Sequence, residues 1–483
     1  MARQWTVPAP PTGVAPSPSR RRAWTSSPTP TGTVTPRQLF WPWFGANVSV
    51  FGLSFGSFVL GFGLSFWQAV LAGVLGIGFS FLLCGFIAVA GKRGSAPTML
   101  LSRAAFGVRG NRVPSALSWL LTVGWETALT TLATLATATV FERLGWGGGA
   151  VTKVLALLVV AVLVVGAGVL GFTTIMRLQT VITVVTGVLT IVYIGLVAGH
   201  AHWDTVTALP DGSAQQFTGA LVFLMTGFGL SWVNAAADYS RYLPRRTSAG
   251  AVIGWTTFGG AIAPLSLLVV GLLLAGSSPE LNTAVAADPI GALTSLLPVW
   301  FLVPFAVVAV LGLVGGAVLD IYSSGLALLA AGFRGSRATA ALVDGALMVA
   351  GTVYLVFAGG QFLGQFQGFL TTLGVPVAAW CGIVLADLAL RRRDYAEADL
   401  LTPGRYGDIR WAPLALLALA TALGWGLVTN TSAGWLDWQG YLLAPLGLAE
   451  NWSAANLGVL LALAVGFLGT LPTRRAVRAQ EAS

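Results

Sequence analysis

The chain has 483 residues, of which 55% are hydrophobic and only 9% are charged, against roughly a quarter charged in an ordinary soluble domain. That composition excludes a soluble globule of this size. The formal charge of +9 does not point to nucleic acid, because the basic residues stand between apolar runs instead of gathering on one domain, and they read as topology signals.

Residues 1–38 are polar and rich in Pro, Ser and Thr, and Arg20, Arg21 and Arg22 are followed by no apolar core. They are expected to form a disordered cytoplasmic tail, not a signal peptide. Apolar runs of about 20 residues, enough to cross a bilayer, then recur near 39–61, 66–90, 114–140, 151–171, 178–199 and 217–236. A second set follows near 250–275, 297–331, 339–358, 366–390, 412–430 and 454–471, the run at 297–331 being long enough to tilt or to begin with a turn outside the membrane. The expectation is an all-α polytopic membrane protein with twelve transmembrane helices. Cys84 and Cys381 lie inside apolar runs without Cys or His companions, so neither a disulfide framework nor a metal site is expected.

An even number of crossings puts both termini on one side. With that side cytoplasmic, all but two of the 26 Lys and Arg residues fall in inside loops or tails, the exceptions being Arg143 and Lys153. A missed or invented helix would swap every later loop and destroy the separation. Acidic residues such as Asp204, Asp211, Glu280 and Asp437 fall outside, and Trp41, Trp43, Trp203, Trp300 and Trp435 sit where interface anchors are expected.

Two helices carry the composition of broken spans. The first reads Gly45-Ala-Asn-Val-Ser-Val-Phe-Gly-Leu-Ser-Phe-Gly-Ser57 and the sixth reads Thr226-Gly-Phe-Gly-Leu-Ser-Trp-Val-Asn234. Both contain Phe-Gly-Leu-Ser, at Phe51 to Ser54 and at Phe228 to Ser231, five helices apart. That spacing suits an inverted repeat whose unwound helices face a ligand at the midplane, although glycine-rich helices also serve close packing.

Further residues carry a resemblance. Gly107 to Gly110 after Ser102-Arg103, Gly124-Trp125, Trp232-Val-Asn-Ala-Ala-Ala-Asp-Tyr-Ser-Arg-Tyr242 and Asp320-Ile-Tyr-Ser-Ser324 occur in an order that resembles the purine-cytosine permease branch of the nucleobase:cation symporters. The resemblance implies a five-plus-five inverted-repeat core of the amino-acid/sodium symporter type. Its first repeat spans 39–199 and its second 217–390, followed by two additional transmembrane helices over 412–471 and a cytoplasmic tail over 472–483. It further implies a nucleobase-like substrate held between the first, third, sixth and eighth helices, in a cytoplasmic membrane, with no cofactor beyond a co-transported cation and no nucleic-acid partner. The expected substrate-binding residues, from the broken helices and the resemblance together, are Asn47, Ser54, Trp125, Phe228, Gly229, Trp232 and Asp320.

Stacking on Trp125 suits a flat ring, whose in-plane polar groups then select its edge. Phe228 and Trp232 both remain open for the opposite face. Glu126, Asp238 and Asp320 are acids at or near membrane depth, where ionisable groups are costly and mark function. Asp238 and Arg241 near the cytoplasmic end of the sixth helix suit a cap or a gate, and Glu126 points about 100° away from Trp125 on a helix. Members of the resembled family commonly carry Asn where Asp320 stands, and an ionised Asp only accepts hydrogen bonds whereas Asn also donates. Leu129 likewise replaces a residue that is polar in several relatives.

Coupling to protons is expected over sodium, with Asp320 as carrier and Glu126 in reserve. The resemblance implies that a sodium site would draw Ser or Thr hydroxyls from the eighth helix shortly before Asp320, and Leu311-Gly-Leu-Val-Gly-Gly-Ala317 offers none. A carrier of an amino acid, a vitamin or a cationic amine is the alternative within transport. An enzyme is not expected, since His200 and His202 form only a loop pair and no nucleophile-base set appears.

Overall fold

A computed structural model describes residues 35–358, 362–431 and 434–482. Apart from 35–38, the tail expected at 1–38 lies outside the described residues. The regular elements among the described residues are all helices, with no strand among them.

The first span is broken into α1 (Phe40–Asn47) and α2 (Ser54–Leu60), joined through a 3₁₀ turn at Val50–Leu53. The two arms of this span bend by 71°. Polar side chains take up backbone groups that the break frees. Asn47 Nδ2 donates to the Trp43 carbonyl at 2.8 Å, and Ser49 Oγ accepts from Phe51 N at 3.3 Å. The long helices α3 (Phe66–Gly94), α4 (Arg112–Arg143), α5 (Ala150–Leu170) and α6 (Phe172–Val197) follow. A capping box from Ser65 and Gln68 starts α3.

The second broken span begins as α7 (Ala214–Gly227), leaves helical geometry at Phe228 (φ −123°, ψ −110°), and resumes through short turns into α8 (Ala236–Ser240). Both sequence-predicted breaks are therefore present. Next come α9 (Ala249–Ser277), α10 (Leu302–Ala331), α11 (Arg337–Phe357), α12 (Phe362–Leu390), α13 (Trp411–Trp425) and α14 (Gly458–Thr470). The long run expected at 297–331 resolves into a 3₁₀ turn at Val299–Phe301 and a 30-residue helix that ends at Gly332, with φ +117°.

Among the described residues, nine helices are long and apolar enough to cross a membrane, and ten if the bent first span counts as one. Two further helices sit where crossings are expected but do not meet that measure. The 15 residues of α13 span only about 22 Å. Helix α4 has 32 residues but is rich in Ser and Thr. Its hydroxyls bond back onto their own helix, as Thr122 does to the Ser118 carbonyl (3.0 Å) and Thr134 to the Thr130 carbonyl (2.8 Å), which lowers the cost of burying them in lipid. The even count thus rests on charge segregation more than on helix lengths.

Large apolar side chains face outward on α5 and α6, among them Leu158, Val162, Val181 and Ile191, at 55%, 71%, 59% and 71% exposed. An apolar belt of this kind needs acyl chains around it. The loops assigned to the cytoplasm meet at one end of the bundle, called the basic end below. There Arg245 pairs with Glu397 at 2.7 Å, Arg391 bonds Gln480 at 2.8 Å, and Arg410 donates to the Ala104 carbonyl at 3.0 Å. At the other end Ser57 bonds Asn282 (2.5 Å) and Arg143 bonds Thr294 (2.9 Å).

Candidate functional site

The two helix breaks face each other across α4 and α10. Between them is a cavity of about 60 Å³, walled by Asn47, Phe51, Trp125, Phe228, Trp232 and Asp320, with Leu129 also on its surface. The cavity is narrower than ligand sites, which commonly measure some 300–1,000 Å³, so it must widen to accept one. Two polar atoms here lack a partner although both are buried: Trp125 Nε1, a donor, and Asp320 Oδ2, an acceptor. Buried polar groups rarely stay unpaired, and a donor and an acceptor left free around one cavity mark it for a polar guest.

Phe228 and Trp232 both reach the cavity, so the sixth span offers two aromatic faces where one was sought. Trp232 rests edge-on against Trp43, with centroids 5.8 Å apart. Trp125 stands edge-on to Phe366 at 4.8 Å, leaving its indole half-buried.

Two expected binding residues lie elsewhere. Ser54 is fully buried with its hydroxyl unpartnered, but it does not line the cavity. Gly229 packs against α3, where a Cβ would fall 2.3 Å from the Ser80 carbonyl carbon and 2.4 Å from Phe81 N. Its lack of a side chain lets the two backbones meet.

Glu126 faces away from the cavity, as its helical offset from Trp125 implies. It is 0% exposed and neither carboxylate oxygen has a hydrogen-bond partner. Its electrostatic neighbours are Asp344, Ser324 and Asp320. Asp344, on α11, was not anticipated; it accepts from Trp119 Nε1 at 2.7 Å and from Ser324 Oγ at 2.9 Å. An acid inside the apolar run at 339–358 was the available signal.

The basic end is shut by hydrogen bonds. Asp238 accepts from Thr98 N and Oγ1 at 2.7 and 2.8 Å, while Tyr239 reaches the Leu319 carbonyl at 3.1 Å. Arg241 donates to the hydroxyls of Tyr242 and Tyr322, both at 2.7 Å. The opposite end holds a vestibule of about 1,280 Å³, bordered by Ser57, Phe58, Gln216, Phe223, Gln367 and Asn456. Aromatic rings stand between it and the cavity, with Phe55 and Phe228 at 4.5 Å and Phe55 and Phe223 at 5.5 Å. An apolar groove of about 750 Å³ over Phe79, Leu83, Phe86 and Leu463 holds none of the candidate residues, and its lining suits acyl chains better than a polar ring.

Where α10 crosses the first break, its glycines lie directly on α1. A Cβ on Gly315 would stand 2.9 Å from the Gly45 carbonyl oxygen. Gln179 of α6 donates to the Gly315 carbonyl at 2.5 Å, and its Oε1 and the Thr183 hydroxyl are buried without partners. Gln179 and Thr183 left no distinguishing mark in the sequence, because isolated polar residues on membrane helices most often serve packing.

Residues 28–444 match the family described as permease for cytosine/purines, uracil, thiamine, allantoin. The chain belongs to this family. Among its relatives, a Bacillus subtilis (strain 168) protein named for the purine-cytosine permeases is 23% identical over 446 residues, 89% of this chain and 90% of that one. The cytosine permease of Escherichia coli (strain K12) is 26% identical over 372 residues, 74% of this chain and 77% of that one. Among solved structures, the nucleobase-cation-symport-1 family transporter Mhp1, closed with bromovinylhydantoin bound, superposes with a TM-score of 0.69 at 19% identity, covering 92% of this chain and 93% of its own. This permease is thus a multi-pass membrane transporter with the inverted-repeat fold.

Proposed function

We propose that this permease imports a nucleobase-like ring, cytosine or a purine being the leading candidates, across the cytoplasmic membrane by proton symport, with both termini on the cytoplasmic side. The observation that carries the reading is the pair of unpartnered atoms, Trp125 Nε1 and Asp320 Oδ2, on a cavity with aromatic walls. A planar heteroaromatic guest would stack on these rings and present donors and acceptors along its edge. The relatives named for cytosine and purines agree with this chemistry. The vestibule opens away from the basic end, the direction from which an imported solute arrives.

Proton coupling rests on Asp320. It lies on the cavity, 2% exposed, and an acid so placed is least costly when neutral. In that form it can donate to a base as Asn would. The stretch of α10 that packs on the first span, Leu311 to Ala317, carries no hydroxyl side chain. A second reading has its own support: Gln179 Oε1 and the Thr183 hydroxyl, both unpartnered beside Gly45, are oxygens that a sodium ion could use.

Uptake of radiolabelled cytosine into proteoliposomes under separate proton and sodium gradients decides between them. The expected outcome is accumulation under the proton gradient alone, lost in Asp320→Asn. Stimulation by sodium at fixed pH, abolished by Gln179→Ala, would establish the sodium reading instead. Thermal-shift measurements on purified protein with bases, amino acids and cationic amines identify the substrate class, since a ligand that binds only the folded state raises its apparent stability.

A further inference from the structure

Helices α4 and α11 both start at the basic end and run side by side in register. Trp119 meets Asp344, and eight residues further along each helix the Thr352 hydroxyl meets the Thr127 carbonyl at 3.4 Å. Depths can therefore be compared directly. Asp344 and Trp119 share one level, while Glu126, seven residues beyond Trp119, lies about 10 Å deeper in the bundle at 1.5 Å per residue. Ser324 is at the level of Asp344, because its hydroxyl bonds that carboxylate, and Asp320 lies one turn deeper on the same face of α10.

Side chains lean toward the N-terminus of their helix. Glu126 on α4 and Asp344 on the parallel α11 thus both lean toward the basic end. Asp320, on a helix of opposite direction, leans up toward the cavity. Glu126 supplies the observation that three nearby acids alone would not: it is wholly buried, neither oxygen has a hydrogen bond of good geometry, and the Ser324 hydroxyl is a donor that acts on it. Its electrostatic neighbours are Asp344, Ser324 and Asp320, with no cation among them. The nearest basic residue along α11 is Arg337, two turns before Asp344, and its guanidinium is committed to the Gly168 and Val169 carbonyls. Carboxylates that act on one another through a dry stretch repel when ionised, so a proton held by one favours ionisation of the next.

We propose that Asp344 is the exit station for the coupling proton, which passes from Asp320 to Glu126 and then, with the Ser324 hydroxyl as bridge, to Asp344 and the basic end. At each step the donor acid becomes a carboxylate and the acceptor carboxylate becomes an acid, so the number of protons within the bundle is unchanged until release. The assignment rests on the proton-coupled reading above. It adds a residue remote from the cavity, whose loss uncouples transport without emptying the pocket.

Full-length protein reconstituted in liposomes tests it with radiolabelled cytosine, comparing accumulation under a pH gradient with exchange between equal pools. A gradient of one pH unit sustains about tenfold accumulation at one proton per substrate. Asp344→Asn keeps an acceptor for Trp119 and a donor for Ser324, so a merely structural role would survive it. The expected result is exchange near the wild-type rate with accumulation reduced to about onefold. Ser324→Ala, which removes only the bridge, should slow accumulation and spare exchange, and it decides the matter should Asp344→Asn fail to reconstitute. Wild-type accumulation in these variants overturns the exit role while leaving proton coupling intact. A wild-type protein that ignores the pH gradient overturns the coupling itself, and the exit role with it.

Discussion

Asp238 receives two hydrogen bonds from a single residue, Thr98, whose amide and hydroxyl lie 2.7 and 2.8 Å from the same carboxylate oxygen. The hydroxyl of Thr98 in turn accepts from Ala237 N at 2.9 Å. The end of the second broken span is thereby latched to the connection between α3 and α4. A hydrogen bond to a charged group contributes about 1.5–3 kcal/mol, enough to shift a two-state equilibrium tenfold or more. Asp238→Ala and Thr98→Val should both favour the form open at the basic end. A cysteine replacing Ser323 should then react with a cytoplasmic-side thiol reagent about tenfold faster in either variant, and an unchanged rate would mean that the latch lies elsewhere.

Trp125 borders the cavity with an unpartnered indole nitrogen. Its replacement by Ala should weaken binding of the transported base by about tenfold or more, since an aromatic pair contributes of order 1 kcal/mol beyond its buried area. Trp125→Phe should lose less, because a smaller face remains. Titration calorimetry on purified protein measures both, and equal affinity of Trp125→Ala and wild type would place the ring elsewhere.

Gly229 admits no side chain against the Ser80–Phe81 backbone. Gly229→Ala should cost about 1–3 kcal/mol, the usual range for overpacking, seen as a lower melting temperature in detergent. If stability holds while affinity falls, the residue serves the ligand and not the helix contact.

Asp408 lies outside the membrane, where the hydrogen bond from Arg109 holds its carboxyl below the ordinary value. The surrounding loop is also clamped by backbone bonds from Val108 to Gly407 (3.1 Å) and from Arg109 and Gly110 to the Asp408 carbonyl (2.8 and 3.0 Å). Because the folded-state pKa is depressed, the stabilisation is complete above the unfolded value near 4 and fades as pH falls through the lower folded one. Hydrogen exchange at Val108 to Gly110, corrected for intrinsic rates, should therefore quicken below about pH 4, and Asp408→Ala should quicken it at neutral pH. Protection that is the same in the variant and independent of pH would show that the backbone bonds suffice.

Much of this arrangement could be read from the chain. Gly, Asn and Ser clustered inside apolar runs mark both breaks, because such residues tolerate an interrupted helix and satisfy its freed ends. The separation of Arg and Lys located the basic end. Other roles were hidden for physical reasons. Gly229 could not be sorted into binding or packing, since a missing side chain serves both equally. Ser54 shares a motif with Phe51 yet turns from the cavity, because the bend sets directions that spacing along one helix does not contain. Asp344 went unnoticed because one acid barely alters the hydropathy of its run, and its link to Glu126 exists only once α4 and α11 lie in register.

The two ends of the transport path are closed by different chemistry, and so should respond differently to heat. Separating Phe55 from Phe228 and Phe223 exposes apolar rings to water, which carries a positive heat-capacity change and makes the closure weaken on cooling. Parting Asp238 from Thr98 mainly exchanges protein hydrogen bonds for water, a step with little apolar exposure. Distances between spin labels across each end, followed from near freezing to physiological temperature, should therefore show curvature with temperature for the aromatic closure and a nearly straight van't Hoff line for the polar one.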